Sequence, residues 1–98
     1  MPPDIQEFVN ACLRKHGREH RAMFPEYCRR AACIWSHWAY LPDADFDNLI
    51  RIYDNWLRDF CNHAISKKDS LELSLAAIMW AAFDEGNIVE WKTIKKEN

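Results

Sequence analysis

Apolar residues along this 98-residue chain recur mostly at intervals of three and four positions. This spacing places side chains on one face of an α-helix, so it predicts four helices, at about 5–16, 25–40, 45–66 and 70–85. Residues 88–95 fit either a fifth short helix or an extended segment, and helix is favoured because no second strand signal lies nearby. The pattern therefore indicates an all-α fold, a compact bundle of four to five helices.

Residues that start and stop helices set the expected boundaries. Gly17 offers a left-handed stop to the first helix, and Pro25 can open the second because the first N–H of a helix needs no internal partner. Lys67 and Lys68 are placed at the end of the third helix, where cations favour the helix dipole. Asp69 then begins the fourth helix as a capping residue.

The fourth helix is apolar nearly all round, so we expect it to be the central helix or half of a dimer interface. Tryptophan is also unusually frequent, with five in the chain. Each has a large apolar surface, and some of them must lie near the outside of so small a protein. We expect Trp35, Trp56 and Trp80 in the core. Trp38 and Trp91 are the better candidates for exposure.

The composition supports one soluble domain over residues 1–98. Hydrophobic residues make up 49% of the chain, which is enough for a packed core, and 2 Gly and 4 Pro are too few for a β-sandwich or barrel. No apolar run is long enough to span a membrane, and the first residues lack the features of a signal peptide. The four cysteines are therefore expected to be reduced, in the cytoplasm.

The charge is small in total but unevenly distributed. The net charge is −2, yet residues 14–30 hold six basic side chains against two acidic ones, and residues 43–59 hold five acids against two bases. This distribution predicts a molecule with a basic side and an acidic side.

The basic stretch suggests binding to a partner. Arginine outnumbers lysine there, and its guanidinium suits two-point contacts to carboxylate or phosphate, whereas tryptophan is frequent at interface centres. We expect a non-enzymatic protein-binding module, a regulator, inhibitor or adaptor, that contacts an acidic protein surface. Small inhibitors of phages and mobile elements offer an analogy of size and composition only. The alternatives are a nucleic-acid-binding protein that uses residues 14–30, a small zinc- or calcium-binding domain and, for self-association, a homodimer. The candidate contact residues are Arg14, Arg18, Arg21, Arg29, Arg30 and Trp38.

Two patterns suggest metal binding, and each has a structural explanation. Two C-x-x-x-H pairs on adjacent helices would supply a Cys2His2 zinc set, although a cysteine on an apolar stripe is commonly a core residue. An acidic run resembles the start of a calcium loop, although the same carboxylates suit the beginning of a helix. The structural explanations are favoured, so no metal is expected. The residues concerned are Cys12, His16, Cys33, His37, Asp43, Asp45 and Asp47.

Catalytic motifs are absent from the sequence. It has no glycine-rich phosphate loop, no nucleophile elbow and no H-E-x-x-H pair. A chain of this size also rarely encloses a deep pocket while keeping a full core. The sequence therefore predicts a protein that is not an enzyme and has no cofactor.

Overall fold

The computed structural model describes residues 2–38, 40, 42 and 45–83. These residues form four α-helices and no strand, which confirms the all-α fold; the possible helix at 88–95 lies outside them. The helices are α1 (Pro3–His16), α2 (Arg18–Trp38), α3 (Phe46–Phe60) and α4 (Lys67–Phe83).

Helix α4 lies at the centre of the bundle, as its apolar circumference predicted. It packs against α1, α2 and α3, and three of its alanines, Ala76, Ala77 and Ala81, are fully buried. Leu73 and Ile78 are fully buried on it. Around them, the core includes Val9 from α1, Tyr27 from α2 and Tyr53 from α3.

Helix α2 begins seven residues earlier than the predicted start at 25. Gly17, with φ of 87°, breaks the chain between α1 and α2, and the amide of Arg21 already donates to the Gly17 carbonyl at 3.1 Å. Pro25 therefore lies inside the helix, where it removes one backbone hydrogen bond. Burial of Phe24 just before it favours the longer helix. At the other end, α2 stops at Trp38 rather than at 40.

Helix α3 is shorter than predicted, ending at Phe60 rather than at 66. Asn62 and His63 have φ of 54° and 60°, in the left-handed region that ends a helix, and both residue types tolerate it better than most. Ser66 then starts the next helix, since its Oγ accepts a hydrogen bond from the Asp69 amide at 3.1 Å. Lys67 therefore begins α4 instead of ending α3.

Candidate functional site

Four helix ends meet at one end of the molecule. The end of α1 lies beside the start of α4, where Lys15 Nζ is 3.0 Å from Glu72 Oε1. Helix α2 starts directly after Gly17, and its Tyr27 hydroxyl lies 4.0 Å from Cys61 Sγ, just past the end of α3. The ends of α1 and α3 and the starts of α2 and α4 therefore form one surface of the molecule, although the α1–α2 junction and the α3–α4 junction are far apart in the sequence.

Six exposed cations lie at this end. Lys15 pairs with Glu72, and we call the other five the basic end. Three were predicted contact residues, and two lysines from the first turn of α4 join them. No ion pair involving any of the five is present in the described part of the chain, although three acids lie at the same end: Glu19 on α2, Asp59 on the last turn of α3 and Asp69 on the first turn of α4. The basic end consists of Arg14, Arg18, Arg21, Lys67 and Lys68.

The structure places Arg29 and Arg30 away from the basic end. Arg29 lies 11 residues beyond Arg18, about 16 Å along α2 at 1.5 Å per residue. Its Nη1 is 2.7 Å from Glu26 Oε1, so its charge is compensated locally. The guanidinium of Arg30 lies over the Trp56 ring, 5.3 Å from its centroid, on the side facing α3. The five predicted arginines therefore do not form one cluster.

Trp38 is half-buried at the opposite end of α2. Its Nε1 donates to the Asp45 carbonyl at 2.8 Å, and its ring meets Trp35 edge to face at 5.1 Å. It lies about 30 Å along α2 from Arg18, too far to share one small contact with the basic end. The expected contrast between Trp38 and the core tryptophans was wrong, because Trp35, Trp56 and Trp80 are half-buried against the core just as Trp38 is. Trp91 lies outside the described residues.

A polar cluster lies between α1 and α4, beside the basic end. Cys12 Sγ, a ring nitrogen of His16 and a carboxylate oxygen of Glu72 all lie within 4.8 Å of one another. His16 Nε2 is 3.0 Å from Glu72 Oε2, and His16 Nδ1 is 3.8 Å from Asp69 Oδ1. Burial, together with the Glu72 charge, raises the pKa of the Cys12 thiol to about 11. Sequence reasoning found Cys12 and His16 but missed the two acids, which lie more than 50 positions away.

The Cys2His2 set, which the sequence allows but does not favour, is not formed by the described residues. Cys33 and His37 are exposed on α2, and His37 Nδ1 lies 2.9 Å from the Cys33 carbonyl of its own helix. Among the residues that the structure describes, neither joins a group of three metal-binding side chains. The Cys12/His16 and Cys33/His37 pairs have the same spacing, but the first faces α4 and the second faces solvent.

The calcium-loop hypothesis is also wrong for the residues described. Asp45 Oδ1 accepts a hydrogen bond from the Asn48 amide at 2.8 Å, so Asp45 caps α3, and the chain is helical from Phe46 onward. A twelve-residue calcium loop that begins at position 43 would end at Asp54. Asp54 is instead buried on α3 and accepts a 2.6 Å hydrogen bond from the Ser70 hydroxyl. Asp47 is exposed in the first turn of α3, and Asp43 lies outside the described residues.

A second polar group lines a half-open pocket of about 230 Å³ between α2 and the end of α3. The Tyr27 hydroxyl is 2.9 Å from His20 Nδ1, and burial, reinforced by Cys61, raises the pKa of this phenol well above its ordinary 10.0. Together with the 4.0 Å approach of Cys61 Sγ to the same hydroxyl, these contacts join α2 to the end of α3.

An apolar groove of about 560 Å³ runs along α4 at the other end of the molecule, and its lining has no polar surface. The groove is formed mostly by apolar residues of α4, as expected for a helix that is apolar nearly all round. The residues that line it are Trp35, Phe46, Leu75, Ile78, Met79, Ala82 and Phe83.

No family model matches this chain, and neither the curated proteins nor the solved structures include a match. Among the described helices, none is both long and apolar enough to cross a membrane.

Proposed function

We propose that this chain is a non-enzymatic protein-binding module, a regulator, inhibitor or adaptor, that docks through its basic end on an acidic surface of a partner protein. The observation that carries the proposal is the convergence of Arg14, Arg18, Arg21, Lys67 and Lys68, from three helices, on one end of the molecule. Their charges stay in water in the free protein, so docking requires no internal ion pair to be broken.

The charge elsewhere favours a compact acidic patch over a long polyanion. Asp45 and Asp47 are exposed at the start of α3, the opposite end of that helix from the basic end. A nucleic acid running across the molecule would meet these carboxylates and the overall charge of −2. A local acidic patch avoids them, and the same charge separation orients the partner during approach.

Location and assembly belong to the same proposal. We propose a cytoplasmic location, the reducing compartment in which four free thiols are stable. A second copy of the chain is the alternative partner, through the apolar groove on α4.

The proposal is tested with charge reversals at the basic end. Proteins retained by the immobilised chain from a native-host extract are compared for wild type, Arg18→Glu/Arg21→Glu and Arg51→Glu. Arg51 is a matched control, because it is an exposed helical arginine on α3 whose guanidinium donates to the nearby Asn48 Oδ1 at 2.9 Å. We expect a partner that the double variant loses and the control keeps.

The affinity for that partner then decides the outcome. Loss of the two contacts should weaken binding at least tenfold, mainly through slower association if the contacts lie at the rim of the interface. Equal affinity for all three proteins, with unchanged melting temperatures, would contradict the proposal. If the retained species is nucleic acid, with log affinity falling steeply against log salt concentration, the nucleic-acid alternative replaces it.

A further inference from the structure

Three side chains of different metal-binding chemistry converge where α1 ends beside the start of α4. Cys12 and His16 lie one turn apart on the same face of α1, and Glu72 reaches them from α4. We propose that Cys12, His16 and Glu72 bind a divalent transition-metal ion, for which Zn²⁺ is the best match. The site is distinct from the docking contacts of the basic end.

The chemistry of the donor set selects the ion. A thiolate with an imidazole and a carboxylate suits Zn²⁺ and its neighbours, whereas Mg²⁺ and Ca²⁺ take oxygen ligands almost exclusively. The three ligand atoms lie within 4.8 Å of one another. Zinc–ligand bonds of about 2.0–2.3 Å hold tetrahedral ligands about 3.5 Å apart, so a small side-chain rotation closes the set. Three protein ligands leave the fourth position to water.

The surroundings of His16 resemble a supported metal ligand. Its Nε2 faces Glu72 Oε2 at 3.0 Å, and its Nδ1 faces Asp69 Oδ1 at 3.8 Å. Metal-bound histidines usually donate their other N–H to a carboxylate, which fixes the tautomer and the ring orientation. The separation of 3.8 Å is longer than a hydrogen bond, so a small rotation of either side chain is needed before Asp69 can accept this N–H and position His16.

Access and burial also suit an ion. The side chain of His16 is only 5% exposed and Cys12 is buried, while the side chain of Glu72 is 30% exposed. An ion can therefore enter from the carboxylate side and be shielded from water on the other. On binding, the Cys12 thiol releases its proton to solvent, and a sulfur–metal bond replaces the S–H bond.

Lys15 competes with the metal for Glu72. Its Nζ lies 3.0 and 3.1 Å from the two carboxylate oxygens, where it neutralises them in the metal-free protein. An ion carrying two charges must approach beside this ammonium or displace it. Removing the ammonium should therefore tighten metal binding, the opposite of the effect expected for a ligand.

Titration of the full chain with Co²⁺ under reducing conditions tests the site. Cobalt takes zinc sites, and a thiolate bound to it gives a charge-transfer band in the near ultraviolet, with visible bands that report four-coordination. We expect the band to saturate at one equivalent and to disappear on addition of Zn²⁺ but not Mg²⁺. Absence of the band in the wild-type protein would overturn the proposal.

Variants assign the ligands. Cys12→Ser should abolish the band, Glu72→Gln should weaken affinity at least tenfold, and Asp69→Asn about tenfold. Cys33→Ser is the matched control, since it alters the other C-x-x-x-H pair, at the same spacing on an exposed face, and should change nothing.

Two further measurements separate a loss of metal binding from a loss of folding: the Co²⁺ affinity of Lys15→Gln and the circular dichroism of each variant. Lys15→Gln should raise the Co²⁺ affinity severalfold, and the circular dichroism of every variant shows that the helices remain. If Cys12→Ser fails to fold, Glu72→Gln and Lys15→Gln decide the result through opposite shifts in affinity. Unchanged affinity in both, or loss of the band in Cys33→Ser alone, would contradict the site.

Discussion

At the scale of single residues, the buried polar side chains join the helices in specific pairs. The Tyr53 hydroxyl, fully buried on α3, donates to the Tyr27 carbonyl of α2 at 2.7 Å. Asp54, on the same helix, accepts from Ser70 of α4 at 2.6 Å and pairs with Arg58 at 3.0 Å. Because an unpaired buried polar group is costly, these contacts fix how α3 is rotated against its neighbours.

The Tyr53 contact predicts a loss of stability at alkaline pH. Burial, together with Cys28 and Tyr27 and opposed by Arg30, raises the pKa of Tyr53 well above its ordinary 10.0. The folded phenol therefore stays neutral while the unfolded one ionises, so the free energy of unfolding falls as pH rises above about 10. Tyr53→Phe should flatten this decline and cost about 0.5–1.5 kcal/mol at pH 7 through the lost hydrogen bond.

Urea unfolding of wild type and Tyr53→Phe between pH 7 and 11 measures the effect. The Cys12 thiol, with its pKa raised to about 11, contributes to the decline in both proteins, so the slope is reduced rather than removed. An alkaline slope equal to that of wild type would show that the Tyr53 phenol ionises as easily in the folded chain.

At the scale of elements, the start of α4 decides which residues reach the basic end. The apolar stripe of α3 continues beyond Phe60, yet the chain turns at Asn62 and His63 and restarts at Ser66. Lys67 and Lys68 thus occupy a first helical turn, where cations oppose the dipole. Their position there costs helix stability and adds charge to the basic end.

Ser66→Ala should therefore destabilise the protein by about 1 kcal/mol, because the Asp69 amide loses its side-chain cap. Ser36→Ala makes the same chemical change inside α2, where Ser36 Oγ only donates to the Ala32 carbonyl one turn back, at 3.2 Å. That control should stay within about 0.5 kcal/mol of wild type in thermal or urea unfolding. Equal effects of the two substitutions would mean that Ser66 does not cap α4.

At the scale of the whole molecule, the charge is separated along the bundle. The basic end gathers helix ends at one side, while Asp45 and Asp47 lie at the far end of α3. A net charge of −2 conceals this separation, since opposite charges cancel in the sum but not in the field near each surface.

The separation predicts that the protein binds a cation-exchange resin at pH 7 and low ionic strength despite its negative net charge. Arg21→Glu should elute at clearly lower salt than Arg51→Glu, although both substitutions lower the net charge by the same two units. Attraction between charges is screened within about 10 Å at 0.1 M salt, so the resin responds to the local patch. Co-elution of the two variants would show that retention follows net charge alone.

The sequence by itself determined the helical class, the nearly complete apolar surface of α4 and the capping of α3 by an acidic residue. The helical class follows from the spacing of apolar residues, and the character of α4 follows from the residues around its own circumference. The cap of α3 is a contact between Asp45 and Asn48, only three positions apart. Cys12 and His16 were found for the same reason, since they lie one turn apart on a single helix.

Only the tertiary structure decided which distant residues these meet. It placed Glu72 and Asp69 beside His16, and it moved Lys67 and Lys68 into the basic end, because helix ends converge there. It also separated Arg29 and Arg30 from the other arginines. The physical reason is that local spacing fixes a side chain's position on its own helix, whereas the packing of helix faces determines its neighbours, and that packing is set by the whole core at once.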